Sequence, residues 1–313
     1  MTQDFWAGKR VLVTGGAGFL GSYVVNRLRR TRGVPEDRIR VPRSADCDLR
    51  EFANAERAVV GCDVVIHLAA TMGGIAFSRS RPASQYFATS HIDLNVVEAA
   101  RRAGVQKLVA IGNLFAYAAD APLPLHESAL FNGLPGESHR GIGWAKRNLA
   151  IQANLYHGEH GFPMVVVYSA NAYGPGDSLD REKAHVIPAT IMKCLLDPEL
   201  IVWGDGTPTR DFLYADDIAE GLLLAAERLE APRFVNLGSG VEVSIRELTE
   251  LIVRFSGFNG HVRFDTSKPG GDPRRNADVT HGRELLGFRP TVDITTGMQR
   301  TVDWYRERLG ARV

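Results

Sequence analysis

Gly15, Gly18 and Gly21, spaced through VLVTGGAGFLGS, are the strongest chemical signal in the chain. A short apolar run ends just before them and a helical pattern begins just after, the setting in which this spacing binds a dinucleotide. Glycine permits the tight turn and lets the backbone approach a pyrophosphate. The helix N-terminus adds free N–H groups and the positive end of its dipole. Phe19 and Leu20 open that helix and fall beside the same phosphates.

The next apolar run, RIRVPRS, carries Arg40 and Arg43 and ends without an acidic residue. An acid there hydrogen-bonds the ribose 2′-hydroxyl of NAD, whereas an arginine accommodates the 2′-phosphate of NADP. The residues therefore tilt toward NADP, with NAD as the alternative and a solvated surface arginine as the plain reading of Arg43.

These residues need elements to hold them, and the first half of the chain supplies a regular alternation. RVLVTG, DVVIHLAA, KLVAIG and MVVVYSA are β-branched runs separated by helical patterns such as GWAKRNLAIQANLYHG. Strands written as continuous apolar runs between amphipathic helices indicate an α/β fold, a doubly wound parallel sheet of the Rossmann type. From about residue 172 the rhythm changes to a loop rich in Gly, Pro and charge, YGPGDSLDREKAH, followed by shorter elements. The expected organisation is a dinucleotide-binding domain over 1–171 and a smaller substrate-binding part over 172–313, interleaved with the first.

Composition narrows the partners. Lys plus Arg is 37 and Asp plus Glu is 36 in 313 residues, so no net field draws the chain to nucleic acid or to an anionic membrane. Cys47, Cys62 and Cys194 form no CxxC pair, which argues against a disulfide framework or a zinc site and suits a reducing cytoplasm. No metal is expected from spacing alone. The first residues carry no secretory pattern, and no apolar run reaches the roughly 20 residues needed to span a bilayer.

The pattern TGxxGxxG resembles the extended short-chain dehydrogenases, the NAD-dependent epimerase/dehydratase family. Asp48 and Leu49 match the positions where that superfamily contacts adenine, and Leu68, Ala69 and Ala70 of HLAA match the strand end beside the cofactor. Five further stretches resemble the GDP-fucose synthases: ATMGGIAFSRSRPASQY, NAYGPGD, AHVIPATIMK, VWGDGTPTRDFLYADD and FDTSKPGGDPRRNADV. The resemblance implies a nucleotide diphosphate sugar, GDP-linked, held by Asn171, Lys193, Trp203, Arg210 and Lys268. Arginine and lysine can meet a diphosphate, the arginine bidentately. Trp203 offers an apolar face to a sugar or base, and Arg274 and Arg275 extend the basic cluster begun by Lys268.

In the superfamily a Ser, a Tyr and a Lys act together, the Tyr moving a proton while hydride moves at the nicotinamide. Here Lys146 stands in place, but Ile142 holds the Tyr position, Asn113 the Ser position, and Phe115 the position of a Cys that carries a proton in the synthases. His185 matches their second proton carrier. Lys146 and His185 are expected to serve both catalysis and cofactor binding. Tyr117, Tyr86 and His139 are the nearby groups that could replace the phenol, and Trp144 and Arg140 flank the site without doing so.

Two functions from different classes remain. One is a nucleotide-sugar epimerase or reductase with non-standard proton transfer, in which His185 acts as acid or base near neutral pH. The other is a catalytically inactive dinucleotide-binding regulatory or sensor protein. The resemblance also implies a homodimer formed through the helices near residues 86–103 and 143–157.

Overall fold

The computed structural model describes residues 5–268 and 271–310. Strand β1 (Val11–Thr14) runs into helix α1 (Phe19–Arg30), and β2 (Ile39–Arg40), α2 (Phe52–Val59) and β3 (Val64–His67) follow. Helices α3 (Ile75–Ser80) and α4 (Pro82–Arg102) lead to β4 (Lys107–Asn113), and α5 (Arg140–His160) leads to β5 (Met164–Ser169). Next come β6 (Asn171–Tyr173), α6 (Val186–Leu196), β7 (Glu199–Trp203) and β8 (Thr209–Tyr214). The chain then returns through α7 (Ala215–Arg228) to β9 (Arg233–Leu237). It finishes with β10 (Glu242–Ser244), α8 (Ile245–Ser256), β11 (His261–Asp265), β12 (Arg274–Arg275), α9 (Thr280–Leu286) and α10 (Ile294–Leu309).

The main sheet has six strands in the order β2-β1-β3-β4-β5-β9, every neighbouring pair parallel. This is the doubly wound α/β sheet expected from the continuous apolar runs. Every residue of β1, β3 and β5 is buried, because helices cover both faces. Burying a Val or Leu side chain of this kind contributes about 1.5–3 kcal/mol. The run RIRVPRS pairs only through Ile39 and Arg40, since Pro42 has no N–H to continue an edge ladder.

The chain leaves β1 for β2 on one side and returns to β3 on the other, so a crevice opens at the carboxyl ends of β1 and β3. The register pairs Thr14 with His67 and Asn113 with Ser169, bringing the strand ends that carry the site to one level. A second core, including Tyr173, Ile191, Met192, Phe212, Leu248 and Val302, gathers α6, α8, α10 and the short strands beside the sheet. Among the described residues no helix is long and apolar enough to cross a membrane.

Candidate active site

The cradle is built as the glycine spacing requires. Gly15 has φ +70°, and a Cβ there would lie 3.0 Å from the backbone N of Ala69. At Gly21 a Cβ would lie 2.1 Å from the Gly15 carbonyl oxygen, so the start of α1 sits directly against the turn. Gly18 caps that helix with no side-chain hydrogen bond and is exposed, which leaves the first N–H groups facing the crevice beside Phe19 and Leu20. Thr14 Oγ1 accepts from the N–H groups of Leu68 and Ala69 at 3.1 and 3.2 Å, fixing the turn that continues into Ala70 over the cradle. A dinucleotide pyrophosphate fits this arrangement.

At the adenosine end the two arginines divide. Arg40 does not face the crevice: its Nη1 donates to the carbonyls of Ala58 and Val60 at 2.7 and 2.8 Å and so caps the end of α2. Arg43 is exposed at the carboxyl side of β2. Asp48 is bonded by Arg50, which holds its carboxyl below the usual range, and Leu49 is buried.

Beneath the cradle runs a buried polar chain. His67 Nδ1 lies 2.7 Å from Thr14 Oγ1, and His67 Nε2 lies 2.9 Å from Asp93 Oδ1. Lys146 Nζ then donates to both oxygens of Asp93, at 3.2 and 3.3 Å. Desolvation pushes His67 below its ordinary value despite the neighbouring carboxylate. The Lys146 ammonium is itself buried, and Asp93 is the partner that makes this tolerable. Sequence reasoning missed Asp93. Its signal was an acid in the helical run HIDLNVVEAA placed on the same face as Val96, Val97 and Ala100.

The positions that the resemblance matches to Ser, Tyr and Cys hold Asn113, Ile142 and Phe115. Ile142 is 1% exposed, an apolar plug on the first turn of α5. Asn113 ends β4, and its Oδ1 accepts the N–H of Phe115 at 3.1 Å, which leaves the amide Nδ2 as a donor. Phe115 stacks on His139, centroids 3.8 Å apart and planes 10° from parallel. Ser138 Oγ donates to Asp272 at 3.3 Å and lies 2.9 Å from His139 Nδ1. With that hydroxyl hydrogen committed to Asp272, Nδ1 carries the ring proton and Nε2 presents its lone pair. Burial pushes His139 down to about 4, against the pull of Asp272 and assisted by His185, Arg210 and Arg275. His139 is thus a neutral imidazole within electrostatic reach of His185. Burial likewise lowers His185 and raises Asp177, its acidic neighbour.

The other expected residues separate by role. Arg210 on β8 donates to the Thr209 carbonyl at 2.7 Å and feels Asp272 and Arg275, so it belongs to the His139 cluster. Trp203, at the end of β7, is 44% exposed and free to stack. Asn171 Nδ2 donates to the Asp211 carbonyl at 3.0 Å. Lys193 is pinned to the Ile201 carbonyl at 2.7 Å, which ties α6 to β7. Lys268 lies exposed beyond β11. The basic cluster drawn around Lys268 does not hold: Arg274 binds Glu242, and buried Arg275 binds Asp272 and the Leu114 carbonyl. Tyr117 is fully buried and donates to Asn236 Oδ1 at 2.7 Å. It is a core residue held far from ionisation by burial, not a substitute phenol in the cleft. Tyr86 stands 46% exposed on the outer face of α4.

The sequence profile of the NAD dependent epimerase/dehydratase family matches residues 11–238, which hold the glycine cradle, Lys146 and the whole main sheet. The chain belongs to that family. It is 33% identical over 304 residues to GDP-L-fucose synthase 1 of Arabidopsis thaliana, covering 95% of this chain and 93% of that protein. It is 30% identical to a dTDP-4-dehydro-6-deoxy-D-allose reductase of Streptomyces bikiniensis, covering 98% and 99% of the two chains. The fold superposes on a GDP-6-OMe-4-keto-L-xylo-heptose reductase from C. jejuni with a TM-score of 0.90, at 22% identity over 96% of this chain and 98% of that one.

Proposed function

We propose that this chain is an NADP- or NAD-dependent enzyme acting on a GDP-linked sugar, and that His139 and His185 move protons beside a sugar carbonyl in place of the phenol. The observation that carries the proposal is His139, stacked on Phe115 and within electrostatic reach of His185 and Arg210, beside a helix start where the resemblance expects Tyr and the chain buries Ile142. The GDP-L-fucose synthases among the relatives support a GDP-linked substrate.

A carbonyl acidifies the hydrogens on its neighbouring carbons. In the proposed step one histidine Nε2 accepts such a proton, and the C–H electron pair moves onto the carbonyl oxygen as an enolate. The Asn113 amide is the candidate donor to that oxygen. The second histidine takes a proton from solvent and delivers it to the opposite face of the carbon, and the first releases the proton it accepted to solvent, so the centre is inverted with atoms and charge balanced. Arg210 offsets the diphosphate charge and Trp203 covers the base or sugar. The dinucleotide, when bound, supplies reversible hydride exchange with the sugar. Gly15, Gly18 and Gly21 hold its pyrophosphate, Arg43 meets a 2′-phosphate, and Asp93 orients Lys146 beside its ribose.

Tyr86, Leu94, Trp144, Ile151 and Leu155 leave an apolar stripe exposed along α4 and α5, beside a cavity of about 440 Å³. We assign this face to a homodimer. Thermal-shift measurements with NAD, NADP and GDP-, UDP- and dTDP-sugars, singly and in pairs, test the binding part of the proposal. Added stabilisation by a GDP-sugar on top of a dinucleotide is the expected result. Stabilisation by dinucleotide alone supports the sensor reading instead.

A further inference from the structure

A second group of ligand-bearing side chains lies outside the residues assigned above. His126 and Glu127 come from the loop after β4, and His281 from the first turn of α9. Their ligand-capable atoms all fall within 4.8 Å of one another. His281 Nδ1 is 3.0 Å and His126 Nε2 is 3.9 Å from Glu127 Oε2. Glu127 is 5% exposed, and only one of its oxygens is hydrogen-bonded: Oε1 accepts the backbone N–H of Asn236 at 2.7 Å. Oε2 is buried with no aligned donor, the His281 contact lacking hydrogen-bond geometry. A sealed carboxylate oxygen without a partner is costly, and here it points between two half-exposed imidazoles.

We propose that His126, Glu127 and His281 form a binding site for a divalent transition metal of the zinc class. Two imidazole nitrogens and one carboxylate oxygen suit zinc and its first-row neighbours, whereas calcium and magnesium favour all-oxygen sets. The supporting contacts are those such a site needs. Ser128 Oγ lies 2.9 Å from His126 Nδ1, so Nδ1 can donate to the hydroxyl and turn the Nε2 lone pair toward the metal. That tautomer gives up the 3.2 Å bond that Nδ1 accepts from the Ser128 N–H. The Asn236 N–H orients Glu127 from behind. Asp278 is a second carboxylate within electrostatic reach of both rings.

The site would join two segments that already pair through their backbones, since the N–H groups of Leu125 and Asp278 donate to Asn276 and Leu125 carbonyls at 2.9 Å. A metal there staples the loop following β4 to α9. His126 and His281 are widely separated in sequence, and no short motif joins them. The site is independent of the proposed sugar chemistry.

The test uses the full chain stripped of metal, with ZnCl2 titrated calorimetrically and CoCl2 followed by visible absorption. Wild type is expected to bind one equivalent of Zn2+ with a rise in melting temperature, and to develop cobalt ligand-field bands. His126→Ala and His281→Ala are each expected to weaken Zn2+ binding at least tenfold and to remove those bands, while the metal-free melting temperature stays unchanged. Both positions are half-exposed, and if one variant does not fold the other decides. No saturable binding to wild type, or equal affinity in wild type and a folded variant, would overturn the proposal.

Discussion

Phe115 and His139 lie face to face, ring centroids 3.8 Å apart and planes 10° from parallel, so the phenylalanine is the platform for a histidine. The contact aligns the imidazole, and the Ser138–Asp272 pair behind it sets the tautomer. Proton transfer has a physical candidate even though Ile142 offers none.

The stack has a consequence for acid stability. His139 is held at about 4 against an ordinary 6.5, so between those values the unfolded chain takes up a proton that the folded chain refuses. Stability therefore falls as pH drops through that window. His139→Phe removes this titration. The fall in melting temperature between pH 7 and pH 4.5 should be smaller in the variant than in wild type, and an equal fall in both would count against the assignment.

Asp93 is the only counter-charge described for buried Lys146. Asp93→Asn leaves the ammonium without compensation and is expected to cost about 3–5 kcal/mol. Urea denaturation measures it, and a loss under 1 kcal/mol would show that Lys146 does not depend on the pair.

Gly21→Ala drives a methyl into the Gly15 carbonyl. The expected cost is at least ~2 kcal/mol of stability, with dinucleotide affinity reduced in the same variant. Calorimetric titration with NADP and a denaturant melt together report it. Unchanged affinity would mean that the turn does not touch the cofactor.

Arg43 is exposed at the carboxyl side of β2, the position proposed to meet a 2′-phosphate, and Arg40 is committed to α2 carbonyls. Arg43→Ala should weaken NADP binding roughly tenfold through loss of a charge-assisted contact and leave NAD binding nearly unchanged. An equal effect on both cofactors would remove the basis for NADP preference.

What was legible in the sequence followed from periodicity and backbone constraint. The sheet could be read because β1, β3 and β5 are buried on both faces, and the cradle because only glycine fits where helix meets turn. Cations were harder. Arg40, Lys193 and Arg275 look like ligand residues as letters, yet each is satisfied by a carbonyl that only the folded chain brings near. Asp93 was hidden because an acid inside an apolar helical run declares no partner until Lys146 arrives from α5. His139 stood just outside a helix and gained weight only when Phe115, Asp272 and Arg210 converged on it.

Deuterium exchange tests the central claim most directly. The chain is incubated in D2O with NADP and GDP-4-keto-6-deoxymannose, and the recovered sugar is analysed by mass spectrometry for solvent deuterium at carbons flanking the carbonyl. Incorporation by wild type, reduced about 10²-fold or more in His139→Ala and in His185→Ala, is the predicted result. Incorporation that survives both substitutions, or none from wild type when the sugar nucleotide is shown to bind, would contradict the account.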